Sequence, residues 1–521
     1  MKHTFQAVSA LLYAFALLAA VPVVAASQRH TVFISDLHVG AGKDSAQKWR
    51  ATEDFRWQDD FDAFLQSVSK RSEDKADLIL AGDVFELWQS PTMACSGDIT
   101  KPGCVISDCH EADPDIGCSE QEALVRVNYV LDQHPGFLNA IRQFARKGSN
   151  SVHFIPGNHD AALLFPAVRA ALRARLADSA VFVEEKGYWL SADGAIYSDH
   201  GHLFDYVNKF DKWPAPFRTV GAHTYLAKPW GENMVQRFYN QYEAIFPIID
   251  NLGDEKSGVM YAVKQAGVPN SAAAIRKFFR FFLFQQSISQ AADALGKESP
   301  VVYDKALTRA LPTDFFVEVF TRDPSLQAMG NLAPSSADGF APASLNDEEI
   351  DAVCAAKDKL EGARRCPRVE AGADPTLSAA IVGTVANDTS RSIAHLRSTL
   401  QRIATPPHNI ASVYVLGHTH KAQMPTLLSL GEMSFGTFDV MQVNTGAFQR
   451  IASKEQIGTI LFEKKHKGKS PLDLLPEDLP ACYNYVWIAP YAGSKPTPTL
   501  LRWTRKDNGK YASAPGSCLA H

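Results

Sequence analysis

The stretch "VYVLGHTHKAQM" closes an apolar run at Gly417 and then presents His418 and His420, two residues apart. On an extended chain, residues i and i+2 face the same side. Two imidazoles so placed could hold a metal, or could simply be polar groups at a strand end. The same texture recurs earlier. "SDLH" presents Asp36 and His38, "AGDVFELW" presents Asp83, "PGNHD" presents Asn158, His159 and Asp160, and "SDHGH" presents His200, each directly after an apolar run. So many carboxylate, amide and imidazole groups in one cleft would be costly without compensation. A pair of divalent metal ions would supply it.

Such residues need strands that end at one edge. "HTVFIS" leads to Asp36, "DLILAG" to Asp83 and "SVHFIP" to Gly157, with helix-like "DDFDAFLQSVSK" and "EALVRVNYVLDQHPGFLNAIRQFARKG" between them. This alternation predicts a layered α/β core, whose sites lie outside the carboxyl ends of the strands. Further strands are expected at "AVFVEE", "GYWLSA" and "AIYSDH". From about Phe204 to Thr405 strand signals give way to helix formers and loop-like stretches. Strand texture returns at "ASVYVLG", "DVMQVNTG", "IGTILFE", "YNYVWIAPY" and "TLLRWTR". The expected organisation is a core in two parts, 27–204 and 406–521, separated by a mainly helical insertion or cap over 205–405.

Asp36-Leu37-His38, Gly82-Asp83, Gly157-Asn158-His159-Asp160, His200 and Gly417-His418-Thr419-His420, in this order, resemble the motifs of the calcineurin-like metallophosphoesterases. "QVNTG" around Asn444 is similar to a further strand end of that family. The resemblance spans roughly 30–205 and 410–505. It implies a two-sheet sandwich flanked by helices and hydrolysis of a phosphoester by a metal-bound hydroxide. One metal would be held by Asp36, His38, Asp83 and His420, the other by Asp83, Asn158, His200 and His418, with Asp83 bridging. His202 is the rival to His200 in "DHGH". The mixed nitrogen and oxygen set suits manganese, iron or zinc better than calcium. His159 is the candidate acid for the leaving oxygen, with Asp160 orienting its ring. A member that keeps the fold as a scaffold would have no need of this full set.

"GDVFELW" and "DHGHLFD" most resemble the UDP-diacylglucosamine hydrolase branch. The substrate expected is a small-molecule, nucleotide or lipid-headgroup phosphoester. A formal net charge of -5 gives no basic footprint and argues against a nucleic-acid partner or a nuclease. In the insertion, "AAIRKFFRFFLFQQSI" (273–288) could line an acyl pocket or touch a membrane transiently, although a helix buried within the cap explains it as well.

Lys2 and His3, the apolar run from Phe5 to Val24 and the small residues before Ser27 predict a signal peptide over 1–26. An uncleaved anchor is the alternative. An exported protein, periplasmic or extracellular, accommodates eight cysteines as disulfides. Cys95, Cys104, Cys109 and Cys118 crowd one segment, which would be a stapled loop at a pocket rim. Cys354 with Cys366, and Cys482 with Cys518, sit in two others. Asn387-Asp388-Thr389 is a glycosylation sequon.

Overall fold

A computed structural model describes residues 29–89, 116–252 and 411–519, with short gaps, and pieces at 350–357, 366 and 396–400. Residues 1–28, three of the four clustered cysteines, the 273–288 stretch and the sequon lie outside the described residues. Among the described residues no helix is long and apolar enough to cross a membrane.

The core is a two-sheet sandwich flanked by helices. In the first sheet, β1 (His30–Ile34), β2 (Ala76–Ala81), β4 (Ser151–Ile155) and β5 (Val181–Val183) run parallel. Antiparallel β13 (Cys482–Ile488), β14 (Pro498–Arg505) and β15 (Tyr511–Pro515) extend it beyond β1. In the second, β6 (Tyr188–Leu190), β7 (Ile196–Asp199), β10 (Val413–Leu416), β12 (Gly436–Asn444) and β11 (Gln423–Met433) follow one another across the sheet. β7, β10 and β12 are parallel.

Period-two alternation explains why the core strands read as unbroken apolar runs. Phe33, Ile79 and Ile155 point between the sheets to meet Ile196, Val413, Val415 and Val443. Their neighbours Val32, Ile34, Leu78, Leu80, Val152 and Phe154 point the other way, into a helical layer. That layer includes α1 (Gln58–Arg71), α2 (Glu120–Gln133), α3 (Pro135–Ala145) and α4 (Pro166–Leu176). α1 buries Phe61, Phe64, Leu65 and Val68, the i, i+3, i+4, i+7 stripe of an amphipathic helix. Asp59 and Asp60 in its first turn and Lys70 and Arg71 in its last suit the helix dipole. The long helical stretch after Glu120 is two helices, because Pro135 disfavours helical backbone at His134 and opens the next helix at its first turn.

Two expectations are corrected. The "IGTILF" of "IGTILFE" lies in a helix, Lys454–Phe462, not a strand. Ser453 Oγ accepts from Gln456 N at 3.2 Å while Gln456 Oε1 accepts from Ser453 N at 2.7 Å. This reciprocal box starts a helix, and Ile457 and Ile460 then pack on Phe246, Ile248 and Ile249. The strand signal also does not vanish after Phe204. β8 (Phe217–Val220) and β9 (His223–Ala227) form a hairpin that pairs with β3 (Ile116–Ser119) in a third sheet.

Cys354–Cys366 and Cys482–Cys518 are disulfide-bonded. Cys118 is a free thiol.

Candidate metal centre

The carboxyl ends of β1, β2, β4, β7 and β10 meet at one edge, and their next residues form the site. Asp36, His38, Asp83, His418 and His420 all have left-handed backbone, with φ between 47° and 72°. Side chains other than glycine rarely adopt this conformation, and it costs roughly 1–3 kcal/mol per residue. The backbone of this edge is therefore strained to aim side chains inward. Gly82 and Gly157 allow the closest approaches. A Cβ on Gly82 would run into the His200 ring, and one on Gly157 would lie 2.6 Å from Asp83 N.

Among the described residues three groups have the spacing of metal ligands: Asp36 with His38 and His420, Asp83 with His200 and His418, and His38 with Glu86 and His159. The six residues of the first two groups are buried. His200 Nδ1 meets the Ala81 carbonyl at 2.9 Å, which turns Nε2 toward Asp83 Oδ2 at 2.9 Å and Asn158 Oδ1 at 3.1 Å. His418 Nε2 is engaged by Asp205 at 2.9 Å, so Nδ1 is the nitrogen left for its group. His38 Nδ1 is held by Glu86 at 2.9 Å, and its Nε2 lies 3.2 Å from Nε2 of His420. Asp36 Oδ1 stands 3.6 Å from His420 Nε2 and 4.0 Å from His200 Nε2. The sequence-predicted ligands Asp36, His38, Asp83, Asn158, His200, His418 and His420 thus come together. His202 does not join them; it turns edge-on to Trp213 at 4.4 Å.

This arrangement fits divalent cations. Three histidines have one ring nitrogen fixed by an oxygen acceptor and the other turned inward, the usual support for a ligating imidazole. The fourth, His420, is buried with Nδ1 lacking a partner. Burial, followed by the neighbouring His38, pushes its pKa well down, so the ring is neutral, as ligation requires. Burial favours a protonated Asp83, yet His200 and His159 outweigh it and hold the carboxyl well below its usual range. Burial likewise opposes charge on His200, but Asp83 raises it to about 9.

His159 is the most open of the site histidines, its side chain 10% exposed. Its partner differs from the expected one. Asp160 does not orient the ring: its carboxylate accepts from the backbone amides of Gly157 at 2.6 Å and Val84 at 2.8 Å, clamping two strand ends together. Burial and then the Asp83 charge raise Asp160 to about 6. Glu86 holds the ring instead, with Oε2 2.5 Å from His159 Nδ1, and Trp88 stacks on it at 3.8 Å. Glu86 therefore grips both His38 and His159, while Trp88 N and Gln89 N donate to its other oxygen. Burial alone would raise Glu86, but His159 and His38 bring it down to about 2. The Glu86 and Asp83 charges outweigh burial in turn and raise His159.

Glu86 and Asp205 escaped the sequence reading. Each follows a ligand by a few residues, in "GDVFE" and "HGHLFD", and an acidic residue within an otherwise apolar segment was the available signal. Asn444 donates to the Gly417 carbonyl at 2.8 Å and to Thr419 Oγ1 at 3.1 Å, fixing the turn that carries His418 and His420.

The described residues thus form a layered α/β sandwich with paired His–Asp clusters at its strand ends. Residues 29–246 match the family model of the calcineurin-like phosphoesterases. No curated protein and no solved structure matches the chain.

Proposed function

We propose that this chain is an exported metal-dependent phosphoesterase that cleaves a phosphate monoester or diester of a small molecule, nucleotide or lipid headgroup. One observation carries the reading: five strand ends, drawn from both parts of the sequence, converge on two buried His–Asp clusters beside a carboxylate-paired histidine. Two divalent ions bound there would neutralise the phosphoryl oxygens and lower the pKa of an attacking water.

The protein's own groups do the rest. Asp36, His38 and His420 would hold one ion and Asn158, His200 and His418 the other, with Asp83 within reach of both sets. Glu86 accepts from Nδ1 of His159 and leaves Nε2 to donate a proton to the departing oxygen. Burial opposes charge on His159, but the Glu86 and Asp83 charges raise its pKa and so favour the protonated ring. Asp160 acts at one remove, by fixing the loop that carries Asn158 and His159. The "GDVFELW" and "DHGHLFD" segments support a place near the UDP-diacylglucosamine hydrolase branch, with the 205–405 insertion adapting the cleft to a different substrate. The amino-terminal apolar run and two disulfides support export.

The test is hydrolysis of chromogenic phosphate mono- and diesters by mature protein that has been chelated and then reloaded with manganese. Turnover should return with the metal and be lost in Asp83→Ala. Protein that binds metal yet cleaves neither ester would count against the reading.

A further inference from the structure

His159 is fixed from four directions. Its backbone N–H donates to Asp83 Oδ1 at 2.8 Å, and Glu86 takes its Nδ1. The Trp88 ring stacks on its face, with centroids 3.8 Å apart and planes 28° from parallel. The His38 ring meets it at 79°, 4.6 Å away. Trp88 is itself held. It is buried, its backbone N–H donates to Glu86 Oε1 at 2.8 Å, and its carbonyl accepts from Gln236 Nε2 at 3.4 Å. One residue thus anchors the carboxylate that grips the edge of the His159 ring and also covers the face of that ring. Because the His159 backbone is tied to Asp83, the ring is placed relative to the metal ligands as well.

Such placement matters most where the leaving oxygen is strongly basic. An alkoxide departs poorly without a proton, whereas a nitrophenolate or a phosphate departs as a stable anion. A misplacement of about 1 Å can cost a catalytic group roughly 100-fold in rate. We propose that Trp88 is a positioning residue that holds the His159 ring for proton donation to an alkoxide, and that the substrate is a phosphoester of an alkyl alcohol, not an aryl ester or a phosphoanhydride. The bond from phosphorus to the alkyl oxygen breaks, its electron pair stays on that oxygen, and the oxygen takes the His159 Nε2 proton to leave as the alcohol. Water supplies the oxygen that phosphorus gains, and the proton this water releases balances the one His159 later takes back. The assignment rests on the phosphoesterase reading and narrows its substrate class.

The experiment measures kcat/KM of manganese-loaded protein for an ethyl ester, a 4-nitrophenyl ester of the same class, mono- or diester, and ethyl diphosphate. Wild type should handle the ethyl ester within about tenfold of the other two, since a placed acid, typically worth about 10²–10⁴-fold, offsets the poor leaving group. Trp88→Leu and Trp88→Met each remove the ring face. Both should lower the ethyl ester by roughly 10- to 100-fold and the other two by less than about threefold, with bound manganese unchanged. Trp88→Phe, which restores a ring face, should recover most of the loss. If these variants slow all three substrates alike, Trp88 only packs the site and the positioning role is overturned. If wild type cleaves the nitrophenyl ester or the anhydride more than about tenfold faster than the ethyl ester, the alkyl assignment is overturned while the phosphoesterase reading stands. No turnover of any of the three by metal-loaded wild type would overturn both readings together.

Discussion

Glu86 shows how one buried side chain can serve both halves of a site. Its carboxylate accepts from His38, which faces the first cluster, and from His159, which faces the cleft. Glu86→Gln keeps the shape and removes the charge. We expect a fall in activity of roughly 10- to 100-fold, the usual cost of losing a group that supports a ligand. The pH profile adds a sign. Glu86 raises the pKa of His159, so activity that needs protonated His159 declines as pH rises through that elevated value. In Glu86→Gln the alkaline limb should move to lower pH. A variant with a lower rate but an unmoved limb would mean that Glu86 only packs the site. The ligands themselves were legible in the sequence because each directly follows an apolar run. Glu86 was not, since pairing a carboxylate with a histidine 73 positions away is a fact of three dimensions.

The elements that carry the site were readable where period-two runs ended in polar residues, as with β1, β2, β4, β7 and β10. The reading failed where composition and local capping disagreed. "IGTILFE" is rich in β-branched and apolar residues, yet Ser453 and Gln456 cap it as a helix. Ser453→Ala should therefore destabilise the protein by about 1 kcal/mol without changing bound metal, as read by thermal unfolding beside metal content. An unchanged melting temperature would place the helix's stability wholly in its contacts with Phe246, Ile248 and Ile249. The β8–β9 hairpin went unread because its strands are short and three consecutive residues of β8 are exposed, so neither a buried run nor a clean alternation marks it.

At the scale of the whole molecule, the core is assembled from two distant parts of the chain. Parallel pairing of β7 with β10 joins them in one sheet and antiparallel pairing of β1 with β13 in the other. A polar staple adds to this. Asp60 on α1 accepts from Tyr483 on β13 at 2.5 Å and from Arg450 at 3.0 Å, and Arg450 also lies 3.9 Å above the Trp57 ring. Burial would raise the Asp60 pKa, but the Tyr483 and Arg450 bonds hold it below its ordinary 3.8. A depressed folded pKa gives stability that is complete above the unfolded value and lost as pH falls through the folded one. Asp60→Asn should thus cost about 1–2 kcal/mol at neutral pH. The gap in melting temperature from wild type should shrink once the pH drops below about 3.8; a constant gap would contradict the staple. The central claim concerns the edge where both parts meet, and the most direct test is metal content. Protein stripped by chelation, reloaded with manganese and freed of excess should hold two ions per chain by elemental analysis, and Asp83→Ala should hold fewer. Two ions in both proteins would remove Asp83 from the centre. None in the wild type would contradict the account at its root.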